Sequence, residues 1–396
     1  MKTLKVLLGG LPLGRNNSGV EAIVRCVAEI LRRLDPEMEI TVSTEKETAI
    51  AAHLGVKTIP LYGFSPKPAL HKFAKIIADF DLFIWCGANG LSDYPETGLN
   101  LLLRAQKQGV QTALWGIGMD SDLKHQEQCT RRQENIFSSA ARMFKCNLLL
   151  PFARRSENRR QQKIRLALEN CLLVVVRDPE TALALTKCGF SGSVVGADSA
   201  MLLPTAPESP VLKEAGIYKI AFCLSSQSPL ADPEGMRELW ERLCAIPAYR
   251  LVLIPTDCQV DCQFMQSLCH DFPYQERIQM LSCNEPELIQ AAVANCDVVV
   301  SSRLTLLILA ANVRTPIVGI EHGGKIGNWL RIFELRPVGT TDKCDFERIE
   351  EAICGFKADA GAAFRKKADF VYSLMRKRLA LAEAELQSAL EKLKSD

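Results

Sequence analysis

VVVSSRLTLLILAANVRTPIVGI, residues 298–320, passes from a β-branched strand through a polar turn into an apolar helix and then a second strand. That succession is a β-α-β unit, and two such strands joined by a helix place the chain in the α/β class. One residue is out of keeping. Arg303 is permanently charged and stands where the buried strand turns into the buried helix, expected over 303–311. An unpaired buried guanidinium is very costly, so either a carboxylate or an anionic ligand must neutralise it. Ser301 and Ser302 are suited to cap the helix. A cation in a first helical turn opposes the helix dipole, which favours an anion between Arg303 and the helix N–H groups. Glu321, at the end of the second strand, is the candidate carboxylate.

The same rhythm extends outward in both directions. KVLLGG, EITVS, KTIPLY, DLFIWCG, QTALWGIG, CLLVVVR and SGSVVGAD read as strands separated by helical periods, as do KIAFCLS, RLVLIPT, RIQML, DVVVSS and TPIVGI further on. The rhythm pauses at 202–217, LLPTAPESPVLKEAGI, which carries three prolines and no apolar period. Two doubly wound, Rossmann-like domains are therefore expected, over 1–204 and 205–340, with ligands at the carboxyl ends of strands in a cleft between them. Residues 341–396 read as C-terminal helices, either packed back on the body or offered to a coiled-coil partner.

Composition bounds the function classes. At 396 residues with 47% hydrophobic and 24% charged, the chain can bury full cores. A net charge of +2 and 7% aromatics argue against nucleic-acid binding through overall charge or stacking. The N-terminal apolar run reads as a first strand, since a signal peptide has a longer one, and no run has the roughly 18 apolar residues of a membrane span. A cytoplasmic protein is expected. Fifteen cysteines are spread through the elements. Cys258 and Cys262 form C-x3-C, but without a second pair, so no metal is expected and reduced, buried thiols are the reading. The basic run 153–165 is either a solvated helix face or a contact with an anionic membrane surface or lipid-linked glycan.

Several strand ends could carry chemistry. In LGGLPLGRNNSGVEAI, Asn17 or Ser18 can cap a helix starting near Gly19, whose N–H groups suit a phosphate or carboxylate, with Glu21 in the first turn. FIWCGANGLSDY offers a small-residue loop with Asn89 and Asp93 as acceptor-side polar groups, and LWGIGMDSD repeats that design with Gly116 and Gly118. Together these glycine-bearing ends suggest one ligand face. VVVRDPE closes on Arg177, which either faces a ligand or pairs with Asp178 or Asp198. Asp257 and Asp261 lie four apart, suited to capping or, for Asp261, to the acceptor cleft. GIEHGGKIGNW supplies Lys325 and His322, one of five histidines and the best proton donor available.

In order, NNSGVEAI (16–23), CGANGLSD (86–93), WGIGM (115–119), VVVRDPETALALTKCG (174–189), VGADSAMLLP (195–204) and SSRLTLLILAANVRTPIVGIEHGGKIG (301–327) resemble the polysaccharide pyruvyltransferase family. The resemblance implies a fold like that of GT-B glycosyltransferases. It also implies transfer of the enolpyruvyl unit of phosphoenolpyruvate, a co-substrate, to two hydroxyls of a sugar, with no further cofactor. Arg177, Arg303 and Lys325 would then hold the anionic donor with Ser302, Asn17 and Gly19, and Leu304 would pack beside it. Glu21, the acid that remains of the first motif, and His322, a substitute acid by its strand-end position and not by the resemblance, are the candidate catalytic residues. Two departures stand out. Thr305 occupies the position where the family usually has His, and Val20 replaces the first acid of its N-x-G-D-E motif. A nucleotide-sugar glycosyltransferase, or a member that binds without catalysing, shares the same features.

Overall fold

A computed structural model gives the fold, and it describes residues 2–64, 70–119 and 150–395, the side chains of 150–157 excepted. Two compact units partition the chain: 1–12, 27–198 and 378–396 in unit 1, and 13–26 with 199–377 in unit 2.

Unit 1 is a seven-stranded sheet of β1 (Lys5–Gly9), β2 (Glu39–Thr44), β3 (Lys57–Pro60), β4 (Leu82–Cys86), β5 (Gln111–Ile117), β6 (Leu173–Val176) and β7 (Val194–Val195). The strand order is β3-β2-β1-β4-β5-β6-β7, with every pairing parallel. Its connections include α1 (Ser18–Leu34), α2 (Glu47–Leu54), α3 (Leu70–Ile77), α4 (Gly90–Asp93), α5 (Pro95–Lys107), α6 (Leu150–Glu169) and α7 (Pro179–Lys187). Unit 2 has β8 (Tyr218–Cys223), β9 (Tyr249–Leu253), β10 (Ile278–Met280), β11 (Val298–Ser301) and β12 (Ile317–Gly319), ordered β10-β9-β8-β11-β12 and again wholly parallel. The later helices are α8 (Pro233–Ala245), α9 (Val260–Leu268), α10 (Pro286–Ala294), α11 (Leu304–Asn312), α12 (Lys325–Ile332), α13 (Phe346–Ala358) and α14 (Ala362–Ser395). Each of the twelve expected strand segments forms a strand. Strands covered on both faces need continuous apolar runs, and LFIWC of β4 and VVVS of β11 are buried at every residue.

The unit bounds differ from the expected ones. The division falls after Asp198, residues 13–26 count with unit 2, and α14 contributes 362–377 to unit 2 and 378–395 to unit 1. The early segment goes with unit 2 because Ser18 donates both its N–H and its hydroxyl to the Thr256 carbonyl, and Asn17 bridges Asp257. The last part of α14 is tied by Glu383 to Arg33 and by Lys394 to Asp35. Of the basic run, 153–157 lie outside the described side chains. Ile164 is buried, while Lys163 and Arg165 pair with Glu96 and Glu169. Among the described residues, no helix is long and apolar enough to cross a membrane.

The core of unit 1 centres on Trp85 of β4, which is fully buried. Space for its indole exists only because three neighbours lack a side chain. A Cβ on Gly10, Gly90 or Gly98 would stand 2.2, 2.7 or 2.1 Å from the ring. In unit 2 the corresponding position is held by Phe222 edge-on to Trp240, with ring centroids 5.4 Å apart.

Candidate functional site

At the carboxyl ends of the unit 2 strands, polar side chains converge on Arg303. Its Nε and Nη2 donate to Oδ2 and Oδ1 of Asp261 at 3.0 and 2.6 Å, and Nη1 donates to Gln227 Oε1 at 3.2 Å. The Asp261 side chain is fully buried. Its Oδ1 also accepts from the backbone N–H and hydroxyl of Ser226, and its Oδ2 from the Asp257 N–H and the Thr256 hydroxyl. Burial disfavours the Arg303 charge, but the adjacent Asp261 carboxylate outweighs it and raises the guanidinium pKa above its ordinary value. Cys223, buried beside this pair, is pushed up to about 12 by desolvation and stays a thiol.

This arrangement corrects three expectations. The counter-charge of Arg303 is Asp261, not Glu321. Asp261 is correspondingly a buried anchor, not a residue lining an acceptor cleft. Glu321 instead folds its own loop, accepting N–H groups of His322, Gly324 and Gly327 and so organising the start of α12, where Lys325 stands. The serines do not cap α11 either: Ser301 Oγ accepts from the Arg303 N–H, Ser302 Oγ accepts from Ser225 N–H, and Arg303 itself is the N-cap residue. The Arg303 side chain makes no capping hydrogen bond to the first turn of α11.

The start of α1 is self-sufficient. Asn17 Oδ1 accepts from the Gly19 and Val20 N–H groups at 3.0 and 3.2 Å, so the donors expected for an anion are already engaged. Glu21 lies part-buried in the same turn. Gly19 packs against α11: a Cβ there would stand 2.3 Å from Thr305 Oγ1. Gly19→Ala should therefore cost about 1–3 kcal/mol by overpacking, and Thr305→Ala should recover part of it. Denaturation midpoints of the two single variants and the double variant check this, and additive losses would refute the contact.

His322 lies part-buried, with Nε2 2.7 Å from Ser228 Oγ. Asp257 stands outside α9, so it shares no helix face with Asp261, and its Oδ1 accepts from Gln259 and Val260. Burial raises its pKa, opposed by the Val260 hydrogen bond. Ser226, Gln227 and Ser228, which bond to Asp261, Arg303 and His322 in turn, are not among the residues expected from the sequence. Their signal was a polar SSQS run directly after a buried strand. Among the described residues, no group of three or more His, Cys, Asp or Glu is placed to hold a metal.

In unit 1, loop 87–90 and the end of β5 interlock, with the Gly118 N–H donating to the Ala88 carbonyl. Arg177 closes this corner: a Cβ on Gly118 would stand 2.7 Å from its Nη2 and 2.9 Å from Asn89 Oδ1. Arg177 Nε donates to Asp178 at 3.1 Å, and Nη1 is 4.0 Å from Asp198. Of the expected acceptor-side pair, Asn89 is buried, donating to Asp93 at 3.4 Å, while Asp93 is exposed. Asp178 also caps α7 through the Thr181 N–H. The three glycine-bearing ends do not make one face within this unit, because Asn17, Gly19 and Glu21 count with unit 2. The 120–122 end of the third segment lies outside the described residues.

The family model for polysaccharide pyruvyl transferase matches residues 17–324. The chain belongs to that family. No curated protein matches. Among solved structures, the chain is similar to a putative UDP-N-acetylglucosamine 2-epimerase from Listeria monocytogenes, at 12% identity and TM-score 0.63 over 93% of this chain and 92% of that one. It is also similar to Alr3699/HepE of Anabaena in complex with UDP-glucose, at 13% identity and TM-score 0.56 over 99% and 100%. The glycotransferase of kitacinnamycin matches at 12% identity and TM-score 0.61 over 99% and 100%. At such identities the likeness establishes the fold, two Rossmann-like α/β units of GT-B type. For this polysaccharide pyruvyl transferase family member, the convergence on Arg303 and the tight packing of Thr305 on Gly19 fall within the matched span.

Proposed function

We propose that the chain transfers the pyruvyl unit of phosphoenolpyruvate to two hydroxyls of a sugar during polysaccharide biosynthesis. The match of the family model across 17–324 carries this reading, and the polar groups of unit 2 give it a chemistry. Lys325 and the first turn of α11, which its N-cap residue Arg303 does not cap through its side chain, supply positive potential for the donor's carboxylate and phosphate. Arg303, paired with Asp261 through Nε and Nη2, contributes a fixed, oriented Nη1 beside Gln227. Protonation of the donor's C3 methylene makes a methyl group and leaves C2 electrophilic. One sugar hydroxyl then adds to C2, phosphate departs with the C2–O electron pair, and a second hydroxyl closes the ketal, each hydroxyl losing its proton. In this reading His322 delivers the C3 proton, held through Ser228, and Glu21 receives a hydroxyl proton.

The experiment is acceptor-dependent release of inorganic phosphate from phosphoenolpyruvate. His322→Gln should lower kcat by about 10²–10⁴-fold with donor binding preserved. An unchanged kcat would remove His322 from the mechanism. A second reading, glycosyl transfer from a nucleotide sugar, is favoured by the fold shared with HepE, a protein solved with UDP-glucose.

A further inference from the structure

The amino-terminal end of the unit 2 sheet, opposite Arg303, holds a cavity of about 490 Å³ at the starts of β8, β11 and β12. That volume lies in the range of small-molecule sites. Lys213, Lys219, Arg314, Lys357 and Arg365 line it, against only two lining carboxylates, Glu214 and Asp297. Helices α10, α11 and α13 end here, and cations commonly gather at helix C-termini. That role accounts for some of the five. Arg314 donates to the Asn312 carbonyl and pairs with Asp369. Lys219 is taken by Glu214 and the Leu212 carbonyl.

The same role does not account for the rest. Lys357 is exposed, and its ammonium lies 4.3 Å from the Tyr249 ring centroid and 3.2 Å from that residue's hydroxyl, not on a carbonyl. Two tyrosine rings therefore hold this charge at the cavity edge, the second being Tyr218 at 5.5 Å. Arg365 is exposed and spends one Nη2 donor on the Ala360 carbonyl, which leaves most of its fork undirected by that bond. Asp359 beside it accepts from the Gly361 and Ala363 N–H groups. Lys213 makes no ion pair among the described residues.

We propose that this cavity binds a small anion of the diphosphate class, held by Lys213, Lys357 and Arg365. Three cations lining one cavity match a ligand with two or more negative charges, and the volume exceeds what a single phosphate fills. The site is separate from the one assigned to the pyruvyl donor, and the two readings fail independently.

Titration calorimetry of the full chain with inorganic pyrophosphate tests it. Saturable binding is expected that persists in Lys325→Ala, where the donor site at the other end of the sheet is disabled, and that in this background is weakened at least tenfold by Lys357→Ala/Arg365→Ala and by the charge-reversed Lys213→Glu. Melting temperatures of the variants confirm that they fold. No saturable binding, equal binding in all variants, or a loss confined to Lys325→Ala would overturn the proposal. In the Lys325→Ala protein, displacement of pyrophosphate by UDP or ADP identifies a nucleotide as the source of the diphosphate. Displacement only by excess pyrophosphate identifies the inorganic anion.

Discussion

Asp261→Ala should destabilise unit 2 by about 3–5 kcal/mol, because it leaves the Arg303 guanidinium without its charge partner in a buried setting. Asp261 has no exposed side-chain surface, and Arg303 approaches it through two nitrogens, the bidentate arrangement that makes such pairs strong and directional. The loss would spread further, since the Ser226 and Asp257 N–H groups lose their acceptor at the same time. Replacing both charges, as in Asp261→Asn with Arg303→Gln, should cost much less than the sum of the single changes, because a neutral pair leaves no buried charge unpaired. Urea denaturation of the four proteins reads the coupling directly. Additive losses would mean that the ion pair does not organise this end of the sheet.

Gly98→Ala should also destabilise the protein, against the usual direction. Glycine inside a helix ordinarily costs about 0.5–1 kcal/mol relative to alanine. Here the added methyl would fall 2.1 Å from Trp85 Cζ2, with two more ring atoms at 2.2 and 2.3 Å. Neither the helix backbone nor a fully buried indole can step aside without disturbing the rest of the core, so a net loss of about 1–3 kcal/mol or more is expected. Trp85→Ala alone should cost about 3–5 kcal/mol. Combining Trp85→Phe with Gly98→Ala should recover much of the Gly98→Ala loss, since the smaller ring frees the space. A Gly98→Ala protein as stable as the parent in thermal melts would contradict this packing.

These two sites show why the sequence was legible in one respect and opaque in another. Buried parallel strands must be apolar along their length, so runs such as LFIWC and VVVS were visible as strands with no alignment. The counter-charge of Arg303 was not visible, because Asp261 lies 42 residues earlier and reaches it only once β9 and β11 stand in one sheet. Glu321 looked closer in sequence, yet three N–H groups of its own loop hold its carboxylate. The glycines misled in a similar way. Gly90, read as part of a ligand loop, makes room for Trp85, and Gly19 makes room for Thr305. A missing side chain signals close approach, but sequence alone does not say whether a ligand or another residue approaches. Of the two candidate caps, Asn17 and not Ser18 makes the bond, and that same bond engages the N–H groups expected to meet an anion.

The identity of Thr305 also bears on the proposed function. In the resembled motif the residue two positions after the arginine is an acid-base group, whereas threonine stays neutral near pH 7. Under the proposed pyruvyl transfer the proton donor is therefore a different side chain, the role assigned above to His322 beside Ser228.

Calorimetric titration of the full chain with phosphoenolpyruvate and, separately, with UDP-glucose tests the proposed function most directly. The account predicts saturable binding of phosphoenolpyruvate that is weakened at least tenfold in Lys325→Ala, and no comparable binding of UDP-glucose. Binding of UDP-glucose without binding of phosphoenolpyruvate would contradict it.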